Sequence, residues 1–157
     1  MSLTTVFEWL GSTAPGKFLA ASTAAFATVE SIHLLGLAVL GGAVLVVDLA
    51  LVGGVGRIRN PLGLARSLFP LFLVGLLIMA VSGVLLVAAG PIKYLLNPLF
   101  PWKFLALAVT AVIHLAVYPG TSFLPEARRL PVARLLAGVS LVGWILVAVI
   151  GRWVGLI

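Results

Sequence analysis

Four windows of about twenty apolar residues constrain this chain more than any other feature, because about twenty is the number a helix needs to cross a hydrocarbon layer roughly 30 Å thick. They run over roughly 22–50, 68–89, 102–118 and 132–154. In a chain of 157 residues, 62% hydrophobic and 9% charged, this leaves no room for a soluble module. The expectation is all-α: an integral membrane four-helix bundle in a single transmembrane domain, residues 1–157. Glycine and proline mark its joints. Gly53-Gly54 and Gly56 follow the first window, Gly90-Pro91 the second and Pro119-Gly120 the third, while Pro101 and Pro131 suit the starts of the third and fourth.

Ahead of the first window, Leu3, Val6, Phe7 and Leu10 fall at i, i+3, i+4 and i+7 with Trp9 beside them, the pattern of a short N-terminal helix lying in the interface. The connections force antiparallel neighbours. Arg57, Arg59 and Arg66 flank the first connection and Arg128, Arg129 and Arg134 the third, against Lys17, Lys93, Lys103 and Arg152 on the other side. The excess of basic residues on cytoplasmic loops then puts both termini on the periplasmic side of a multi-pass protein, with membrane lipid as its first partner. The net charge of +6 is spread over these loops without a basic stripe, which argues against nucleic acid. The absence of cysteine excludes disulfides, iron–sulfur clusters and thiolate zinc sites.

An ionisable group inside an apolar window costs roughly 2.5–3.5 kcal/mol on insertion scales and marks a candidate site. Glu30 and His33 stand in the first window, with Asp48 near its end, and Lys103 and His114 stand in the third. Eleven residues are close to three helical turns and eighteen are five, so Lys103 and His114 share a stripe, as do Glu30 and Asp48. His33 and His114 are expected to differ in depth by about 13 Å, which argues against their ligating the two faces of one upright porphyrin. Gly36, with Gly41 and Gly42, removes bulk beside His33, for a close helix approach or for a flat cofactor.

Two imidazoles in a dry bundle best support a b-type haem, with His33 and His114 as candidate iron ligands and Gly36 beside the porphyrin. The alternative for each is a histidine hydrogen-bonded within the protein. Glu30 is read as the polar support of His33 or as a proton relay. Glu30-x-x-His33 is half of a di-iron carboxylate motif whose second half is missing, and copper handling would want more Met, His or Cys. Asp48 reads as a charge neutralised by Arg57 or Arg59, and Lys103 beside Trp102 as an interfacial anchor. Ser31, Ser82 and Ser140 lack a base at recognisable spacing.

The segment Ile32-His33-Leu34-Leu35-Gly36-Leu37-Ala38-Val39 followed by Gly41-Gly42 resembles the first helix of HemJ-type protoporphyrinogen oxidases and CopD-like membrane proteins, and Trp102-Lys103-Phe104-Leu105-Ala106-Leu107 with His114 resembles their third. Val29-Glu30-Ser31-Ile32-His33 and Val47-Asp48-Leu49 are more similar still to small four-helix membrane proteins grouped as a domain of unknown function. The resemblance implies a b-haem protein of the bacterial inner membrane with His33 as iron ligand and Lys103 in the active or haem site. Leu40-Gly41-Gly42 and Val46-Val47-Asp48 stand where HemJ proteins have a tryptophan and a Pro-Arg pair, so the haem site carries over without the arginine an anionic porphyrinogen would meet. The function expected is electron transfer or a porphyrin- or quinone-linked oxidation by a membrane oxidoreductase, in which Lys103 and Glu30 act at the site and His114 or Lys103 serves as second ligand or propionate partner. The alternative is a cofactor-free subunit of a larger membrane complex or a homo-oligomer.

Overall fold

The computed structural model describes residues 2–53 and 58–156. Gly54, Gly56 and Arg57, expected in the first connection, lie outside them. Among the described residues the chain is helical throughout, with no strand and with seven α-helices rather than four: α1 Leu3–Ser12, α2 Ala14–Ala21, α3 Thr23–Val52, α4 Pro61–Ala89, α5 Pro91–Leu96, α6 Phe100–Leu115 and α7 Glu126–Leu156. Three of these, α3, α4 and α7, are long and apolar enough to cross a membrane. The fourth expected window holds a shorter apolar helix of 16 residues, α6.

The extra helices follow from local signals. Thr13 ends α1 and caps α2, its hydroxyl accepting the amide of Gly16, and Pro15 sits in the first turn of α2, where a missing N–H costs nothing. Ser22 then caps α3 through the amide of Ala25. The expected interfacial helix is therefore α1, with a second short helix after it. Asn60 caps α4 through Gly63, so this helix starts at Pro61 rather than near 68 and carries Pro70 inside it. Helix α7 begins at Glu126 rather than near 132, with Pro131 inside. Helix α3 ends at Gly53, whose φ of +86° is the left-handed conformation that favours glycine, and whose amide reaches the carbonyl of Leu49. Helix α6 passes into a π turn over Ala116–Gly120 that takes the chain through Pro119, where a stop was expected.

Helices α3 and α4 pack antiparallel, as do α6 and α7, and α7 closes on α3. At one end, the turn end, Val47, Leu51, Ala65, Val117, Ala133 and Ala137 form one buried cluster, and Leu40, Ala43, Val44 and Phe72 form a second next to it. At the other, the terminal end, α1 and α2 lie over the end of α4: a Cβ on Gly16 would meet the Ala88 carbonyl at 2.9 Å, and Phe7 meets Phe100 edge to face at 6.0 Å. Between Thr23 and Leu35, α3 contributes no buried residue. The bundle is packed at the turn end and open beside α3 at the terminal end.

Candidate functional site

His33 faces α4 across this open half. Its Nδ1 lies 2.8 Å from Ser82 Oγ, and its ring edge lies above Gly83, within 3.4 Å of where a Cβ would be. The serine hydroxyl donates its one proton to the carbonyl of Ile78. It can therefore only accept from the imidazole, which assigns the proton to Nδ1 and leaves the Nε2 lone pair facing away. Among the described residues Nε2 has no hydrogen-bond partner.

Two charged groups flank this imidazole closely enough to act on it electrostatically: Glu30, one turn earlier on α3, and Lys103 from α6. Lys103 is half-buried, with its Cε and Nζ 3.6 and 3.9 Å from where a Cβ on Gly151 of α7 would be. Glu30 is exposed to the outside of the bundle and also acts on Tyr94 of α5. Burial, and after it the Glu30 charge, push the Tyr94 phenol above its usual range. Three of the expected residues, Glu30, His33 and Lys103, thus lie around one open region near the terminal end.

Gly36 and His114 do not join them. A Cβ on Gly36 would lie 2.6 Å from Ile78 Cγ2, so its missing side chain admits α4 and leaves no space for a porphyrin. Gly41 and Gly42 face open space. His114 is buried, 6% exposed, with Nδ1 3.1 Å from Ser140 Oγ and 3.4 Å from Asp48 Oδ1. Asp48 stands fifteen residues from His33 on α3, which at 1.5 Å per residue is about 22 Å along the axis. That separation exceeds the sequence expectation and prevents the two histidines from ligating one iron.

Asp48 was expected at a helix end, neutralised by Arg57 or Arg59. It is instead fully buried against His114. At 3.4 Å the pair is at ion-pair distance but beyond a well-formed charge-assisted hydrogen bond, and neither carboxylate oxygen has a hydrogen-bond partner among the described residues. The shared stripe on α6 holds. Lys103, Thr110 and His114 face Gly151, Gly143 and Ser140 of the antiparallel α7, and a Cβ on Gly143 would meet the Thr110 hydroxyl.

Ser82 and Ser140 both find an imidazole, 49 and 26 residues away in sequence, which local spacing cannot show. Neither pairing makes a hydrolase. Ser82 accepts from His33 instead of losing a proton to it, and Ser140 and Asp48 approach the same nitrogen of His114 instead of opposite ones. Ser31 is tied to the Ala27 carbonyl. The Phe72 ring lies 4.5 Å from the His114 imidazole and meets Trp144 edge to face, and the buried Trp144 Nε1 has no hydrogen-bond partner among the described residues.

The fold and this site define an all-helical protein with three helices able to cross a membrane and two separate histidine centres. The chain belongs to the family of unknown function DUF6644, whose model matches residues 6–157. No curated protein and no solved structure matches it.

Proposed function

We propose that this is a multi-pass protein of the bacterial inner membrane that binds a b-type haem through His33 and serves electron transfer or a porphyrin- or quinone-linked oxidation. The observation that carries this reading is the locked tautomer of His33: the Ser82 oxygen holds Nδ1–H and the unpartnered Nε2 lone pair is free to ligate. Metal-bound histidines are oriented in this way, by a hydrogen bond from the second ring nitrogen. The donor set fits the group: His33 would hold the iron, the Lys103 ammonium would meet a propionate, and Glu30 would hold or pass a proton beside the ring. When bound, the haem would supply one-electron redox chemistry. Gly36 and His114 have no part in this site.

Optical spectra of the detergent-purified chain, oxidised and dithionite-reduced, test the reading. A Soret band and sharp reduced α and β bands that vanish in His33→Ala and persist in His114→Ala are expected. A colourless protein, even after expression with a haem precursor, would sink it. The second reading, a cofactor-free subunit of a complex or homo-oligomer, is favoured by the uncovered face of α3, where Glu30 is exposed and Gly41 and Gly42 meet nothing. Crosslinking in native membranes from Glu30→Cys would then capture a protein neighbour.

A further inference from the structure

Asp48 is the only aspartate of the chain, is fully buried, and receives no hydrogen bond on either carboxylate oxygen among the described residues. A lone carboxylate in such surroundings is strongly disfavoured, because nothing replaces the water it has lost. Among the described residues, the helices packed around it bring a single counter-group. Helix α6 places His114 Nδ1 at 3.4 Å, and α7 places the Ser140 hydroxyl 3.1 Å from that nitrogen. Helix α4 offers the Phe72 ring, while its Arg66 is exposed on another face. Arg134 of α7 is engaged one turn further toward the turn end, its Nε donating to the Leu51 carbonyl at 3.1 Å.

Charge counting then fixes what the pair must hold. A carboxylic acid beside a neutral imidazole is net neutral, and so is a carboxylate beside an imidazolium. Each form carries one proton more than the bare anion with a neutral ring. We propose that Asp48 and His114 form a proton-binding site that holds one exchangeable proton between Oδ1 and Nδ1. In one form the carboxyl O–H donates to the Nδ1 lone pair; in the other the imidazolium N–H donates to the carboxylate. Transfer between them breaks the O–H bond and forms the N–H bond without changing the net charge.

Release of that proton to water leaves a charge of −1 on a carboxylate that receives no hydrogen bond among the described residues, so release is tied to an arriving positive charge or to parting of the helices. A divalent metal is the competing occupant. One carboxylate, one imidazole and one hydroxyl would leave it with net positive charge, and no third His, Cys, Asp or Glu completes a metal group among the described residues. The site lies about 22 Å from His33 and stands independently of the haem reading.

The test uses the full chain in liposomes, with aspartate labelled at the side-chain carboxyl with carbon-13 and histidine with nitrogen-15. Because Asp48 is the only aspartate, its infrared band is assigned by the isotope shift without a variant. His114 is assigned by the nitrogen-15 resonance missing from His114→Gln. The expected result, at unchanged helical circular dichroism, is an Asp48 carboxyl band or a His114 imidazolium resonance that is present in neutral buffer and moves on exchange into heavy water. A bare Asp48 carboxylate band together with a neutral His114 resonance in the folded chain would overturn the proposal. Stoichiometric metal retained through purification and lost in Asp48→Asn would overturn it in favour of a metal centre.

Discussion

Gly75 of α4 lies so close to Leu40 of α3 that a methyl group on the glycine would sit 2.7 Å from the Leu40 amide nitrogen and 2.9 Å from its Cα. The two backbones touch there, and two helical turns away on each helix His33 meets Ser82. The glycine contact sets the spacing at which the histidine can reach its serine.

Gly75→Ala is therefore expected to push the two helices apart at a cost of about 1–3 kcal/mol, the range for overpacking a rigid contact. Gly42→Ala, where a Cβ meets nothing within 4 Å, serves as the control and should be no less stable than the parent, gaining up to about 1 kcal/mol of helix propensity. Thermal unfolding of both variants in one detergent compares them. Equal melting of the two would contradict the close approach.

Ser82→Ala removes the acceptor that holds His33 Nδ1 and leaves the imidazole itself in place. If His33 ligates haem, affinity should fall by roughly tenfold to a hundredfold, the usual effect of losing an outer partner of a metal ligand. Ser82→Thr, which keeps a hydroxyl, should recover most of it. Haem titration of the apo-proteins measures this. Unaltered affinity in Ser82→Ala would separate the serine from the ligand.

His114→Leu strips Asp48 of its only ion-pair partner among the described residues. Leaving one buried partner alone costs roughly 3–5 kcal/mol, whereas replacing both by apolar side chains of similar volume is often close to neutral. Adding Asp48→Leu to His114→Leu should then recover most of the loss. The double-variant cycle, read by denaturant unfolding in mixed micelles, checks it. A double variant less stable than either single one would mean that the pair contributes through contacts other than its charges.

Tyr94 lies in α5, outside the long helices. Burial chiefly, and the Glu30 carboxylate next, raise its phenol above the usual tyrosine range. The folded chain thus keeps a proton that the unfolded chain gives up. This contribution to stability is complete below the unfolded value and is lost as pH rises through the folded one. Ultraviolet titration should show a late phenolate transition that Tyr94→Phe abolishes and Glu30→Gln moves only part of the way toward lower pH. A Tyr94 transition at the ordinary tyrosine value would refute the burial.

The long apolar helices were legible because their signal is local. Runs such as Leu34–Val47 or Leu71–Leu77 declare themselves residue by residue, and the stripe joining Lys103 to His114 follows from helical period alone. Helix starts were less legible, because Asn60 and Thr13 act through single capping bonds while arginines and prolines nearby suggest a boundary elsewhere. The partners of the histidines were not legible at all. Ser82 and Ser140 reach them through the registers of α3 on α4 and α6 on α7, and those registers depend on close approaches at Gly36, Gly75 and Gly143. Asp48 was misplaced for a similar reason: position along a helix says how near an end a residue lies, but not which neighbour covers it.

A bundle whose buried apolar residues gather near its turns behaves mechanically like tongs joined at one end. Opening between α3 and the α6–α7 pair near the terminal end exposes almost no core, since Thr23–Leu35 buries nothing, whereas opening at Leu51 and Ala137 would break the largest apolar cluster. Free energies of local opening scale with the packing lost. Parting of the arms that carry His33 and Lys103 therefore costs less packing than parting of the joint.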